Sequence, residues 1–231
     1  MTRASEQSTS DPTAPVAVAP AAEYEPSFAA LVGRARALSD RRRILGITGA
    51  PGSGKSTLAA RLVDALGPRT ATLVGMDGFH LANSELHALG IHDRKGAEHT
   101  FDAGGYVALL HRLAASGESA EEFVYAPVFD RSLEESIGSA QRVDGSVPLV
   151  VTEGNYLLLQ SGRWGEVRPL LAECWYVDPG EERRVDWLIA RHLRFGRDAD
   201  QARERSLGSD QRNAEVISAS MALADLVVTS R

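Results

Sequence analysis

One cysteine, Cys174, in a chain of 231 residues leaves no partner for an intrachain disulfide, which agrees with a reducing compartment. It lies in the apolar run Cys174-Trp175-Tyr176-Val177, the setting of a buried strand residue rather than of a reactive thiol. No stretch of about 18 apolar residues occurs, and the amino terminus has no apolar signal core, so neither a membrane partner nor a leader is expected and the cytoplasm is the expected location. Excess positive charge is lacking too. With a formal charge of −6 and a pI near 5.6, the chain has no general basic face with which to neutralise nucleic-acid phosphates. His80, His87, His92 and His99 are scattered among polar residues with no cysteine near them, which is not a zinc spacing. An Asn-Lys-x-Asp guanine signature is absent, and so is any internal repeat.

What is present is a chain 43% hydrophobic, enough to bury one sizeable core. Residues 1–26, with Pro12, Pro15, Pro20 and Pro26 among Ala, Ser and Thr, bury too little surface to offset their conformational entropy. They are expected to form a disordered tail ahead of a single domain over 27–231. At its centre stands Gly49-Ala50-Pro51-Gly52-Ser53-Gly54-Lys55-Ser56, then Thr57, which meets every fixed position of G-x-x-x-x-G-K-[ST]. The apolar run Ile44 to Thr48 precedes it and an amphipathic run, Leu58 to Leu66, follows, giving the strand–loop–helix setting such a loop needs. Glycines there let backbone N–H groups turn toward a polyphosphate, and a helix start presents its positive end. Lys55 would reach the β- and γ-phosphates of a nucleotide, and Ser56 would place its hydroxyl on Mg²⁺.

Five apolar strands are expected, at 44–48, 70–75, 147–154, 173–177 and 224–228, alternating with helices, which is the pattern of an α/β fold with a parallel sheet covered on both faces. Ser27 is expected to cap a helix through Leu38, Asp102 one through Leu113, and two more helices are expected over 199–207 and 210–224. In such a sheet ligands collect beyond the carboxyl ends of the strands, which carries Asp77 to the edge held by the phosphate loop. A carboxylate there accepts a hydroxyl proton or holds Mg²⁺ through water, while an Asp-Gly turn without chemistry is the alternative. Glu153 ends a fully apolar strand, where an acidic residue reaches the Mg²⁺ sphere. Residues 81–100 read as a loop covering a substrate. Phe123 to Arg131 reads as a hairpin or arm closing over an acceptor, its aromatics Phe123, Tyr125 and Phe129 being either core or contact residues. Arg183, Arg184, Arg191, Arg194 and Arg197 flank a helical apolar stripe, and serve either as a phosphate-binding lid or as a solvated face.

Taken in order, Gly49–Thr57, Met76-Asp77-Gly78-Phe79-His80, Tyr125 to Asp130, Thr152-Glu153-Gly154-Asn155-Tyr156, Trp175 to Asp178 and Arg191 to Phe195 resemble the uridine kinase, phosphoribulokinase and bacterial pantothenate kinase group. The resemblance implies a P-loop NTPase three-layer fold with a lid and acceptor-site insertions, and an ATP- and Mg²⁺-dependent kinase acting on an alcohol of a small hydroxylated substrate. It implies that Asp77 is the base, that Lys55 and Ser56 hold triphosphate and metal, that Glu153 is the second acidic residue, and that Arg191 to Arg194 belong to the lid. The loop residues Gly49, Ala50, Gly52, Ser53, Gly54, Lys55, Ser56 and Thr57 are the expected nucleotide contacts. Asp77, Phe79, His80, Tyr125, Phe129, Arg131 and Asn155 are the expected acceptor contacts. Asp130-Arg131-Ser132-Leu133 lacks the histidine that uridine kinases carry after this stretch, and the chain is short for a pantothenate kinase, so the acceptor stays open. A homodimer is compatible with this reading.

Overall fold

The computed structural model describes residues 24–116, 122–194, 196 and 198–230. Tyr24–Glu25, within the stretch expected to be a tail, form a two-residue strand, β1; residues 1–23 lie outside the described residues. After helix α1 (Phe28–Ala37), capped by Ser27 through Ala30 N, come β2 (Arg43–Thr48), α2 (Lys55–Leu66) and β3 (Ala71–Gly75). A short helix α3 (Asn83–Ala88) and α4 (Ala103–Ala115) follow, the latter capped by Asp102 accepting from Gly105 N at 2.8 Å. Next come the hairpin strands β4 (Phe123–Asp130) and β5 (Glu135–Asp144), then β6 (Leu149–Gly154) and β7 (Glu173–Asp178). The chain ends through α5 (Glu181–Arg194), α6 (Ala199–Leu207), α7 (Ser209–Ser218) and β8 (Leu226–Ser230).

Five of these strands, in the order β8-β7-β2-β6-β3, are parallel, with β1 added antiparallel at the β8 edge. They are the five apolar runs of the sequence. Alternation along each strand divides the core in two. Leu45, Ile47, Val151, Trp175 and Val177 face α1 and α2, where Leu31, Ala35, Leu58 and Leu62 are fully buried. Ile44, Val150, Cys174 and Tyr176 face α4, whose Tyr106, Leu110 and Leu113 are fully buried, together with Trp164 and Leu171. The fold is therefore a three-layer α/β arrangement with helices on both faces. Burial pushes the Cys174 thiol up to about 12, as suits a packed strand residue rather than a nucleophile.

Where the structure departs from the sequence reading, polar strands and short helices are responsible. Strand β5 carries Ser136, Ser139, Gln141 and Arg142 and has no apolar period of its own. It is held by pairing with β4 instead. The stretch read as a loop over 81–100 contains α3, and the last long helix stops at Ser218, with Met221–Leu223 forming a separate 3₁₀ turn.

The β4–β5 hairpin stands outside the main sheet and presses on the 3₁₀ turn Met76–Phe79 that follows β3. A Cβ on Gly78 would lie 2.5 Å from the Pro127 carbonyl oxygen, a backbone atom that cannot step aside. Replacing Gly78 by Ala is expected to lower unfolding free energy by about 1–3 kcal/mol through overpacking, and to reduce activity by moving the hairpin off the turn. Urea denaturation of the Gly78→Ala variant checks the first effect, and a midpoint equal to wild type would show that the hairpin does not rest on this turn.

Candidate active site

Strands β2, β3 and β6 end at the same edge, and the residues just past them meet there. Gly46 to Thr48 of β2 pair with Thr152 to Gly154 of β6, and Gly75 of β3 pairs with Glu153. This register delivers Glu153 and the turn carrying Asp77 to the mouth of the phosphate loop. Within the loop Gly52 has φ 84° and Gly54 φ 83°, left-handed values natural only to glycine. The loop leads directly into α2, whose first-turn amides at Lys55, Ser56 and Thr57 have no acceptor within the helix. Arg184, buried on α5, donates from Nη1 to the Pro51 carbonyl at 3.1 Å and from Nη2 to Glu181 at 2.8 Å, bracing the loop from outside.

A cavity of about 160 Å³ opens over this edge, lined by Lys55, Ser56, Asp77, Glu153, Asn155 and Arg191 on the loop side. His80, Phe129 and Arg131 line it on the hairpin side. Asp77 accepts from Arg131 Nη2 at 3.0 Å, an ion pair with both partners partly solvated. Lys55 is buried, with Nζ 3.4 Å from the Ala50 carbonyl. Burial pulls its ammonium below the ordinary lysine value, against the opposing pull of Glu153 and Asp77. Glu153 is pushed up, first by burial and then by the charge of Asp77. Ser56 Oγ donates to Glu153 Oε2 at 3.1 Å.

That hydroxyl and carboxylate are hard oxygen donors placed side by side. Two protein donors fall short of a closed cage and suit an ion that completes its octahedron with phosphate oxygens and water, as Mg²⁺ does. The site fits the ion. The Ser53 hydroxyl, buried in the loop without a hydrogen-bond partner among the described residues, marks the loop as a place where polar groups are held ready at a cost.

Three of the residues expected at the acceptor or in the lid do not line the cavity. Phe79 packs edge-to-face on Tyr106 at 5.3 Å and belongs to the core. Tyr125 is exposed on the outer side of the hairpin beside Phe123, because the irregularity between Ala126 and Val128 turns Phe129, not Tyr125, toward the cleft. Arg194 is exposed at the end of α5, one turn past Arg191. Phe195 and Arg197 lie outside the described residues. Of the loop residues, Gly49, Ala50, Gly52, Ser53, Gly54 and Thr57 surround Lys55 and Ser56 without lining the cavity itself. Conversely, Phe101, Arg205, Asp210 and Asn213 line it and were not expected as site residues, while Lys95 lines it from the stretch read as a loop covering a substrate. Nothing local in the sequence marks Arg205, which reaches the site by donating to the Lys95 carbonyl at 3.0 Å across 110 residues.

The His80 ring lies between Phe101 and Phe129, with centroids 4.0 and 4.6 Å away, and its Nδ1 is 2.8 Å from the Asp77 carbonyl. A carbonyl only accepts, so Nδ1 carries the proton in the neutral ring and Nε2 is an acceptor. Burial lowers the imidazole below its ordinary 6.5.

A profile of the Phosphoribulokinase / Uridine kinase family matches residues 44–231. A Schizosaccharomyces pombe protein provisionally named a uridine kinase is 31% identical over 199 residues, covering 81% of this chain and 83% of that one. The pantothenate kinase of Mycolicibacterium vanbaalenii is 32% identical over 166 residues, 69% of this chain but 51% of that protein. A crystal structure from Silicibacter sp. TM1040, provisionally named a fructose transport system kinase, superposes with a TM-score of 0.78 at 34% identity. It covers 87% of this chain and 98% of its own.

The depressed His80 pKa makes a signed expectation. The unfolded chain takes up the His80 proton more readily than the folded one, so this group's contribution to stability is complete above pH 6.5 and is lost as pH falls through the lower folded value. Imidazole NMR should show a midpoint below 6.5 with the Nδ1–H tautomer, and His80→Gln should lose less stability than wild type between pH 7 and 5. A midpoint at or above 6.5 contradicts the assignment.

Proposed function

The chain belongs to the phosphoribulokinase / uridine kinase family, a family of P-loop kinases acting on small metabolites, and from that premise we propose that it transfers the γ-phosphoryl group of ATP to an alcohol of a small hydroxylated substrate. The observation that carries this reading is the meeting of Lys55, Asp77, Arg131 and Arg191 in one cleft with the phosphate loop. The relatives carry the names of kinases for uridine and pantothenate, both of which bear hydroxyl groups, which supports the acceptor type and leaves its identity to experiment.

In this reading the loop amides and the first turn of α2 hold the donor's β- and γ-phosphate oxygens, with Lys55 supplying a charge among them. Ser56 and Glu153 would hold Mg²⁺, which would supply positive charge against the phosphate oxygens. Asp77, kept in place by Arg131, accepts a hydrogen bond from the acceptor hydroxyl and takes its proton as the new O–P bond forms and the bond to ADP breaks. Arg191 faces the same space and offers a planar donor fork to the equatorial oxygens of the transferring group. His80 Nε2 and Asn155 offer polar contacts for the acceptor, with Phe129 as an apolar wall. Because Lys55 and Glu153 are both buried, their charges act in a low dielectric, where they count for more than in water.

The proposed partners are small molecules, not nucleic acid or membrane, with the cytoplasm as the place of action and a homodimer compatible with the fold. A coupled ADP-release assay with Mg²⁺·ATP tests the function across nucleosides, pantothenate, pentoses, hexoses and hydroxy acids, with an acceptor-free control. One acceptor class is expected to stimulate release, and Asp77→Ala to cut turnover roughly 10²- to 10⁴-fold with little change in the KM for ATP. Equal release in every well, control included, would point instead to a nucleotide-dependent ATPase.

A further inference from the structure

One guanidinium in the cleft has no task in the transfer step. A chain of contacts leads to it from the phosphate loop outward. His80 Nδ1 is 2.8 Å from the Asp77 carbonyl, and the His80 ring centroid is 4.6 Å from that of Phe129. Lys95 Nζ lies 5.2 Å from the Phe129 centroid, and Arg205 of α6 donates from Nη2 to the Lys95 carbonyl at 3.0 Å. The cleft therefore has a phosphate-loop end, with Lys55 and Arg191, and a far end, with Lys95 and Arg205. Electrostatics draw the same division. Beyond burial, the charges acting on Lys55 are Glu153, Asp77, Arg191 and Arg131, whereas those acting on Lys95 are Glu135 and Glu134.

Most carboxylates lining the cleft are already engaged. Glu153 accepts from Ser56, Asp77 from Arg131, and Asp210 pairs with His192 at 2.8 Å, while Glu134 is exposed at the hairpin tip. Lys95 is partly compensated, since its Nζ donates to Asn83 Oδ1 at 2.6 Å and to the Glu134 carbonyl. Arg205 is not. Asp93 and Glu204 border it on its outer side, in a depression shared with Arg212. Among the described residues, however, no carboxylate oxygen comes within 4.0 Å of the half-buried Arg205 guanidinium. Its hydrogen bond to the Lys95 carbonyl uses Nη2 and leaves Nε and Nη1 able to donate.

The backbone acceptors at this end are taken as well. The Gly96 carbonyl receives Tyr156 OH at 2.6 Å and Asn213 Nδ2 at 3.3 Å, and the Lys95 carbonyl receives Arg205. A sugar rim or the edge of a base presents donors and acceptors together, and its donors would find few partners here. A group made only of acceptor oxygens, with negative charge, matches a planar guanidinium fork beside an ammonium.

We propose that Arg205, with Lys95 beside it, is the subsite for an oxyanion carried by the acceptor itself, so that the substrate is a hydroxylated carboxylate or phosphate ester rather than a neutral sugar or nucleoside. The proposal rests on the phosphotransfer reading above and narrows its acceptor. The anion takes no part in bond making. At the other end of the same molecule the hydroxyl oxygen bonds to the γ-phosphorus, its proton passes to Asp77, and the bond to ADP breaks. Arg205 acts on specificity, because a neutral analogue leaves a desolvated cation unanswered.

The test is the coupled ADP-release assay on the full chain, with Mg²⁺·ATP and acceptors in matched pairs that differ by one anionic group. The pairs are glycerate with glyceramide, pantothenate with panthenol, and ribose, ribulose and fructose with their terminal phosphates. Wild type should use the charged member of one pair roughly tenfold to a hundredfold better in kcat/KM than its neutral partner. A response among the hydroxy acids identifies a carboxylate, and one among the sugars a phosphate ester. Arg205→Ala should raise KM for that charged acceptor roughly tenfold to a hundredfold, with kcat, the KM for ATP and the KM for the neutral partner little changed. Arg205→Lys should recover part of the loss. A neutral acceptor used as well as its charged partner, with Asp77→Ala still inactive, would overturn the inference and leave the kinase reading standing. So would an Arg205→Ala variant that loses kcat/KM equally for charged and neutral members, which would make the guanidinium a brace for the segment at Lys95. ADP release that no acceptor of either kind stimulates would remove both.

Discussion

A lysine that opens α2 and a glutamate near the end of β6, both buried at the mouth of the phosphate loop, are the constraint around which the rest of this molecule is built. Each charge taken from water costs several kcal/mol, and their mutual attraction repays that only when geometry and further hydrogen bonds are good. The parallel register of β2 with β6 sets Glu153 opposite Ile47, at the strand end from which the phosphate loop runs to Lys55. Ser56 supplies a hydrogen bond to Glu153, and Asp77 supplies an attraction for Lys55 along with a repulsion for Glu153. Such an arrangement is costly by itself, and in the function proposed above an anion near Lys55 and a cation near Glu153 would relieve it. The two fully apolar halves of the core hold the arrangement in place meanwhile.

A second constraint is steric. The turn that presents Asp77 is a 3₁₀ turn with no regular element of its own, and it stays put because α4 packs beneath it and the β4–β5 hairpin presses on it from above. The same hairpin supplies Arg131 to Asp77 and Phe129 to the cleft. Position and chemistry of the carboxylate thus depend on a hairpin outside the main sheet. Aromatic contacts join these pieces, with His80 between Phe101 and Phe129, and Lys95 5.2 Å from the Phe129 ring centroid.

How much of this could be read beforehand follows from where the information lay. The five parallel strands were legible because each is a short run dominated by apolar residues and bounded by turn signals, and the phosphate loop because its glycines and Lys55 are local in sequence. Cap residues Ser27 and Asp102 were legible for the same reason. Strand β5 was not, since its polar residues owe their conformation to a partner strand. Tyr125 and Phe129 could not be told apart, because an irregularity at Pro127 shifts the alternation between them. Arg191 and Arg194 looked equivalent as members of a basic helix, and only the docking of α5 separates one facing the cleft from one facing solvent. Lys95, Arg205 and Asn213 converge through contacts spanning more than a hundred residues, beyond any spacing rule.

The docking of α5 also revises what can move. A basic helix beside a phosphate site invites the idea of a hinged lid, yet the first turns of α5 are part of the floor. Arg184 is buried and bonded to the loop at Pro51, and Leu188 has no room to leave Gly52 without exposing itself and the loop together. Swinging α5 away as a rigid body would carry the Arg184 guanidinium off the Pro51 carbonyl and leave that acceptor without its partner, a loss of about 1–3 kcal/mol. At its far end His192 pairs with Asp210 of α7 at 2.8 Å, with both side chains largely buried. Helix α7 is thus joined to α5 at two levels, to Arg184 through Gln211 and to His192 through Asp210, so the first turns of α5, its end and α7 form one connected block against the loop.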